Sequence, residues 1–230
     1  MKRAVFNWSG GKDSALALHY MMEHSDFEIP QLLTSINTFT NRVSMHGVRL
    51  DMLKRQAESI GLPLNLLKLP KEPSMTEYDQ IMRTKLEEIK KQEIEYAAFG
   101  DIFLEDLKKY REDRLKEVGL KAIFPLWKRD TQELIREFLD LGFRTLVVAI
   151  DGSKLDKSFI GREITNEFIA DLPRGVDPCG ENGEFHTFVF DGPIFSAPVS
   201  FTKGEVVEKS YELSKENPDK TVTYWFQDVL

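Results

Sequence analysis

Ser9-Gly10-Gly11-Lys12-Asp13-Ser14, set between Arg3-Ala4-Val5-Phe6-Asn7-Trp8 and Ala15-Leu16-Ala17-Leu18, is the stretch on which the fold turns. The mostly apolar run before it reads as a short buried strand. The run after it, continued by Tyr20-Met21-Met22, is good helix material. A strand, a glycine turn and a helix start together present free backbone N–H groups to an anion. Two adjacent glycines reach conformations closed to other residues and let a phosphate come near the backbone. Ser9 and Ser14 add hydroxyl donors, and Lys12 adds a mobile positive charge. The spacing is not that of the Walker loop, which puts four residues between its first Gly and Gly-Lys, nor of the dinucleotide G-x-G-x-x-G.

Outward from this loop the chain alternates. Gln31 to Ile36 reads as a second strand, closed by a polar loop from Asn37 to Asn41. A helix from Val48 carries Leu53, Ala57 and Ile60 on one face and stops at Gly61-Leu62-Pro63. Leu64 to Leu69 is a third strand. Met75 to Lys91 is a long charged helix with an apolar stripe of Tyr78, Ile81, Met82, Leu86 and Ile89. Tyr96 to Phe99 is a fourth strand, ending at Gly100-Asp101. This order predicts a parallel sheet with helices on both faces, and such sheets bind ligands beyond the carboxyl ends of their strands. The loop at Ser9, the segment after Ile36 and Gly100-Asp101 all fall on that edge.

Leu104 to Val118 is a further helix, followed by Lys121 to Trp127, a short strand broken by Pro125. A domain boundary is expected here, giving 1–126 as the nucleotide domain and 127–230 as a smaller one. Asp130 or Thr131 caps a helix that runs to Leu141 and ends at Gly142. Thr145 to Ile150 is the clearest buried strand. Phe188 to Phe190, the segment around Val206-Val207, and Thr221 to Phe226 also read as strands, so the second domain is expected to be α+β. Between them, Pro178-Cys179-Gly180-Glu181-Asn182-Gly183-Glu184-Phe185-His186-Thr187 is a glycine-punctuated loop with two carboxylates and a histidine.

Composition excludes several classes. The 230 residues are 41% hydrophobic and 30% charged, with a net charge of −7, which argues against a broad nucleic-acid footprint. No apolar run approaches membrane length, and the N-terminus reads as a strand rather than a signal peptide. With Cys179 the only cysteine, neither an internal disulfide nor a Cys-x-x-Cys pair can form. A cytoplasmic protein is expected.

The loop at Ser9 resembles that of the PP-loop ATP pyrophosphatases, whose signature is Ser-Gly-Gly-x-Asp-Ser after the first strand. The wider chain resembles the diphthine–ammonia ligase family of those ATPases. Four pieces carry the likeness: Ser9–Ser14; Gly100-Asp101 with the helix leading to Phe124-Pro125-Leu126-Trp127; Leu155-Asp156 with Gly161-Arg162; and Glu181–Thr187. The resemblance implies a Rossmann-like, adenine nucleotide alpha hydrolase-like first domain, and a smaller family-specific second domain. It also implies ATP-dependent amide formation, in which a carboxylate is adenylated, pyrophosphate leaves and ammonia displaces AMP. In the eukaryotic members this domain is joined to further domains, and many short members have acceptors that the domain does not identify.

The residues expected to act follow. Ser9, Gly10, Gly11, Lys12, Asp13 and Ser14 would hold the phosphates, with Gly100 and Asp101 beside them and the adenine near Thr34 and Ile36. Asp13 suits a Mg²⁺ ligand as well as it suits a helix cap, and Asp101 carries the same ambiguity. Glu181 or Glu184 would hold ammonium and take its proton, since only neutral ammonia is nucleophilic; both fit solvated turn residues too. Gly183, Glu184, His186 and Thr187 are the expected substrate contacts, His186 being equally suited to a structural role. His19 and His24 are assigned nothing. ATP, Mg²⁺, ammonium and a carboxylate acceptor are the expected cofactors and partners, with a homo-oligomer left open. Two other readings stand beside this one. A tRNA-modifying PP-loop ATPase, such as a lysidine-forming ligase, is disfavoured by the acidic balance. A non-catalytic adenine-nucleotide-binding module would need no loop like Glu181–Thr187.

Overall fold

The computed structural model describes residues 1–24, 26–43, 47–212 and 221–230. The first half alternates as the sequence predicts: β1 Lys2–Asn7, α1 Lys12–His24, β2 Phe27–Asn37, β3 Arg42–Val43, α2 Leu50–Ile60, β4 Leu64–Leu69, α3 Met75–Lys90, β5 Tyr96–Ala98, α4 Glu105–Val118 and β6 Lys121–Ile123. The local reasons are legible. Ser74 and Glu77 form a reciprocal capping box at the start of α3, and Gly61 and Gly119 close α2 and α4 in the left-handed conformation. Three details differ from expectation, the first being β3, a two-residue strand just past the polar loop Asn37–Asn41. β2 begins earlier, at Phe27, because its first half pairs along the whole of β1. β6 stops at Ile123, and residues 124–127 turn, since Pro125 has no N–H to continue a ladder.

The first sheet runs β4-β2-β1-β5-β6, all parallel, and the two-residue β3 pairs antiparallel with the end of β2. β1 is central, and Ala4, Val5 and Phe6 are fully buried, as a strand covered on both faces must be. One face packs Phe6, Leu18, Met52 and Leu53 with α1 and α2. The other packs Val5, Leu33, Leu86, Ile89 and Leu115 with α3 and α4. The chain moves from β1 outward through β2 to β4, then crosses back to β5 and β6. The order therefore reverses between β1 and β5, the switch point beyond whose carboxyl ends sheets of this kind bind ligands.

The second half comprises α5 Thr131–Asp140, capped by Asp130, then β7 Arg144–Asp151, a 3-10 turn at Lys157–Phe159, α6 Asn166–Asp171, β8 Phe185–Asp191, β9 Lys203–Glu212 and β10 Thr221–Val229. Its sheet, β8-β7-β10-β9, is antiparallel throughout. It does not have a core of its own. Phe138, Val147, Phe185 and Phe188 belong to the same buried cluster as Phe6, Trp8 and Leu18. At the far end, Asp228 of β10 accepts from Arg42 at 2.9 Å and from Arg49 at 2.6 and 3.0 Å.

Candidate functional site

Trp8 follows β1, and the chain turns through Ser9, Gly10 and Gly11 into α1. Gly10 sits at φ +81°, a left-handed conformation, and a Cβ there would come within 2.8 Å of the Gln56 amide oxygen. The turn is held from within: Ser9 Oγ donates to Ser14 Oγ at 3.0 Å, and Ser14 Oγ also bonds the Gly11 carbonyl at 2.9 Å. Gly100, just past β5, lies directly against the start of α1. A Cβ on it would be 2.8 Å from the Ser14 nitrogen and 2.9 Å from the Asp13 carbonyl, so no larger residue fits. Two of the three carboxyl-edge segments of the sequence reading, the Ser9 loop and Gly100, thus meet at the switch point.

The second half of the chain closes on the same loop. Thr187 Oγ1 accepts from the Lys12 backbone N–H at 2.9 Å, across 175 residues. Val189 N donates to the Gly10 carbonyl at 2.9 Å. Gln56, fully buried in α2, ties the pieces together. Its Nε2 donates to Gly10 O at 3.0 Å and to Val189 O at 2.6 Å, and its Oε1 accepts from Trp8 Nε1 at 3.0 Å.

Lys12 is 3% exposed. Its ammonium donates to both Asp13 oxygens, at 2.7 and 2.8 Å, and to the Cys179 carbonyl. Burial acts against its charge, but the Asp13 carboxylate and the surrounding acceptors outweigh it, and the pKa lies above the ordinary lysine value. For Asp13, burial is the larger influence and pushes the carboxyl up against the pull of Lys12. Burial likewise raises Asp101, which Arg111 opposes through an ion pair at 3.2 Å; the other oxygen, Oδ2, is buried without a partner. Glu181 is pushed up to about 8, first by burial and then by the charge of Asp13, with Asp101 adding to it and Lys12 opposing. Asp13, Asp101 and Glu181 therefore share one electrostatic neighbourhood with Lys12 and Arg111.

The two glutamates of the glycine-punctuated loop separate here. Glu184 is 3% exposed and turns back on its own loop. It accepts from Asn182 N at 2.9 Å, Asn182 Nδ2 at 3.1 Å and Asp177 N at 3.2 Å. Asp177 supports the same turn, accepting from Cys179 N, Glu181 N and Thr131 Oγ1. Glu181 lies within electrostatic reach of Lys12 and Asp13 in the phosphate loop. Gly183 lies in the turn with φ +80°, and His186 stands in β8 opposite Ala149. The Cys179 thiol is buried beside the Thr131 carbonyl and raised by that burial, which makes it a poor nucleophile. Thr34 and Ile36 are buried, and the Thr34 hydroxyl donates to the Trp8 carbonyl at 2.6 Å, so neither side chain is open to a ligand. His19 packs edge-on against Phe143.

Three participants escape a reading of the sequence. Gln56 left one signal, a polar residue between Leu53 and Ile60 on an apolar helix face. Asp177 left another, Asp before Pro, a common turn start. Arg111 left none among the many charges of α4. Among the described residues, no cluster of three or more His, Cys, Asp or Glu side chains could hold a metal by itself. None of their helices is long and apolar enough to cross a membrane.

Two family models match the chain: the diphthamide synthase N-terminal domain over residues 1–122, and the diphthamide synthase C-terminal domain over residues 130–215. The chain is 27% identical to the diphthine–ammonia ligase of Mus musculus over 228 residues, which is 88% of this chain and 84% of that one. It is 25% identical to that of Danio rerio over 232 residues, covering 89% and 88%. The Homo sapiens protein of the same name is 29% identical over 123 residues, 51% of this chain and 46% of that one. The chain thus spans about half the length of the human relative, and 17% of the Schizosaccharomyces pombe one. The solved U34-tRNA thiolase NcsA from Methanococcus maripaludis is 17% identical, with a TM-score of 0.37 over 61% of this chain and 57% of that one, too low to rest anything on.

Proposed function

This chain belongs to the diphthamide synthase family, and from that premise we propose that it is an ATP-dependent amide ligase. It would join ammonia to a carboxylate acceptor through an acyl-adenylate, releasing AMP and pyrophosphate. The observation that carries this reading is that Cys179, Thr187 and Val189, which flank the two-carboxylate loop, hydrogen-bond to Lys12 and Gly10 and so tie that loop to a phosphate-type turn at the start of α1.

Residues 1–126 would hold the nucleotide, and residues 127–230 would cover it. Ser9, Gly10, Gly11 and Ser14 form the cradle, with Gly100 clearing the space against it. Lys12, held charged, would exchange the Cys179 carbonyl for phosphate oxygens and stabilise charge that develops on them. Mg²⁺ arriving with the nucleotide would neutralise phosphate charge, and it asks for only one or two carboxylates. Asp101, with its buried unpartnered oxygen, and Asp13 fit that need. The adenine would lie along the backbone at Thr34–Ile36.

Glu181 has the properties wanted of the group that takes a proton from ammonium. It stands beside the loop, and its pKa near 8 lets it change protonation state close to neutral pH. Glu184 and Thr187 would shape the loop, and Gly183 and His186 remain candidates for touching the acceptor. The relatives are named for diphthine, which makes diphthine or a similar carboxylate the acceptor to try first. Ammonia would come from solution or from a partner protein, and the cytoplasm is the compartment we assign.

The test is product analysis with ATP, Mg²⁺, ammonium and candidate acceptors. AMP and pyrophosphate in equal amounts, formed only when an acceptor is present, are expected. ADP and orthophosphate as the sole products would overturn the reading.

A further inference from the structure

Two carboxylates stand in the loops at the switch point, each with a cation, and the two pairs are built differently. Asp13 is saturated: both of its oxygens accept from the Lys12 ammonium, at 2.7 and 2.8 Å. Asp101 is paired through one oxygen only. Arg111 of α4 lies 3.2 Å from its Oδ1, while Oδ2 is buried without a hydrogen-bond partner among the described residues. The Asp101 side chain is 12% exposed. A carboxylate oxygen shut away from water and left unpaired is costly, so this one calls for an occupant. Arg111 is itself held in place. Its guanidinium lies 4.3 Å from the centre of the Phe99 ring, and Phe99 is a buried residue just past β5, two before Asp101. Stacking thus sets the planar fork against the strand end that carries the carboxylate. The pair belongs to the site, since the charge of Asp13 acts on Asp101 and that of Asp101 acts on Glu181.

We propose that Arg111 is a positioning residue for nucleotide activation: by holding Asp101 through Oδ1 it leaves Oδ2 as the protein oxygen that meets the Mg²⁺ carried by ATP, while Asp13 serves Lys12. The proposal rests on the reading above in taking ATP to sit on the Ser9–Ser14 loop. Mg²⁺ asks for one or two carboxylates and completes its shell with water and phosphate oxygens, so a single uncommitted oxygen beside a phosphate loop suffices. Carboxylates that meet a metal are themselves held by hydrogen bonds, and loss of such a support typically costs ~10–100-fold in metal affinity. Arginine suits the task, because it stays protonated and has no lone pair with which to take the metal itself. The commitment of both Asp13 oxygens to Lys12 is what separates the two acids, which their positions at the starts of α1 and of the segment after β5 do not.

Calorimetric titration of the full chain with ATP, once in Mg²⁺ and once in EDTA, measures the metal's contribution as the ratio of the two affinities, with no turnover involved. Asp101→Asn and Arg111→Gln should each lower that ratio ~10-fold, and the double variant should lower it no further, because Arg111 acts through Asp101. Affinity in EDTA should stay within about twofold of the wild type, whereas a merely structural loss would weaken both conditions alike. Circular dichroism checks folding. Should Arg111→Gln not fold, Arg111→Lys, which keeps the charge and loses the fork, takes its place, with a ~3-fold fall expected that is absent in the Asp101→Asn background. The proposal fails if the wild-type ratio is no larger than about one. It fails equally if the folded Arg111 variant keeps or raises the ratio, a rise meaning that Arg111 competes with the metal for Asp101. Loss in the double variant equal to the product of the single losses would also overturn it. A chain that shows the expected coupling yet yields only ADP and orthophosphate would sink the ligase reading and leave the role of Arg111 standing.

Discussion

Replacing Gln56 with Leu tests whether the two halves of the chain are tied at the phosphate loop by one side chain. Leu is close to Gln in volume, so the exchange leaves little cavity and the cost is polar. The amide makes three hydrogen bonds, to Gly10 O, Val189 O and Trp8 Nε1, at a position with no solvent exposure. Gly10 O keeps a second donor in Val189 N. Trp8 Nε1 and Val189 O lose the partner that Gln56 provides. A buried polar group left unpaired costs about 1–3 kcal/mol, and removing the amide's own desolvation offsets part of that, so a net loss of about 3 kcal/mol is expected. In urea this should lower the midpoint without changing the slope, since the surface exposed on unfolding is the same. ATP affinity, measured by calorimetry on the folded variant, should fall roughly fivefold to tenfold, because Gly10 would be held by one bond instead of two. A loss of stability under about 0.5 kcal/mol with unchanged ATP affinity would refute the reasoning. Loss of stability alone would show that Val189 N suffices to hold the loop.

Lys12→Ala should abolish activation of the acceptor, with a loss in rate of roughly 10²–10³ in a pyrophosphate-release assay; a change under threefold would place the phosphates elsewhere. Glu181→Gln should keep ATP affinity and lose amide formation by about 10²-fold or more, and the wild-type rate at limiting ammonium should rise with pH up to about 8, a break that the variant lacks. Because the folded Glu181 holds its proton from its ordinary value of 4.5 up to about 8, while the unfolded chain has lost it, this group makes stability fall as pH rises through that window. Urea midpoints of wild type and variant against pH measure the difference, which should vanish below pH 4.5. Asp228 acts in the opposite sense. Arg49 and Arg42 hold it at about 2, below its ordinary 3.8, so its contribution, about 1 kcal/mol once solvent screening of the exposed Arg49 is counted, is present above pH 3.8 and lost as pH falls toward 2. Acid unfolding of Arg49→Ala should therefore begin at higher pH than that of the wild type, and coincident curves would discount the pair.

The elements of the first sheet were legible because each rests on interactions within a few residues. β4 falls on the run Leu64–Leu69, α3 begins at a Ser74–Glu77 box, and Gly61 and Gly119 close their helices where the apolar periodicity ends. The length of β2 was not legible, since Phe27–Pro30 becomes strand by pairing with β1 rather than by its own pattern. The site divides the same way. Ser9–Ser14 and Gly100-Asp101 stood out in the sequence; Gln56, Asp177 and Arg111 gained their places from partners distant in the chain.

The sequence by itself determined a strand, a glycine turn and a helix at Ser9, a parallel alternation around it, and a second glycine loop with two carboxylates. Those are properties of local geometry: which φ a residue can adopt, which face a period of 3.6 or 2 presents, which side chain caps a helix. Tertiary structure alone decided what the second loop does. Glu181 and Glu184 are chemically the same acid three residues apart. One turns inward to three donors of its own loop, and the other feels the charges of Lys12 and Asp13, more than half the chain away, and of Asp101. The choice between them depends on the Asp177 turn and on Thr187 bonding Lys12, contacts 175 residues apart in the latter case. Burial and neighbouring charge then set the protonation of Glu181, and both exist only once the chain has folded.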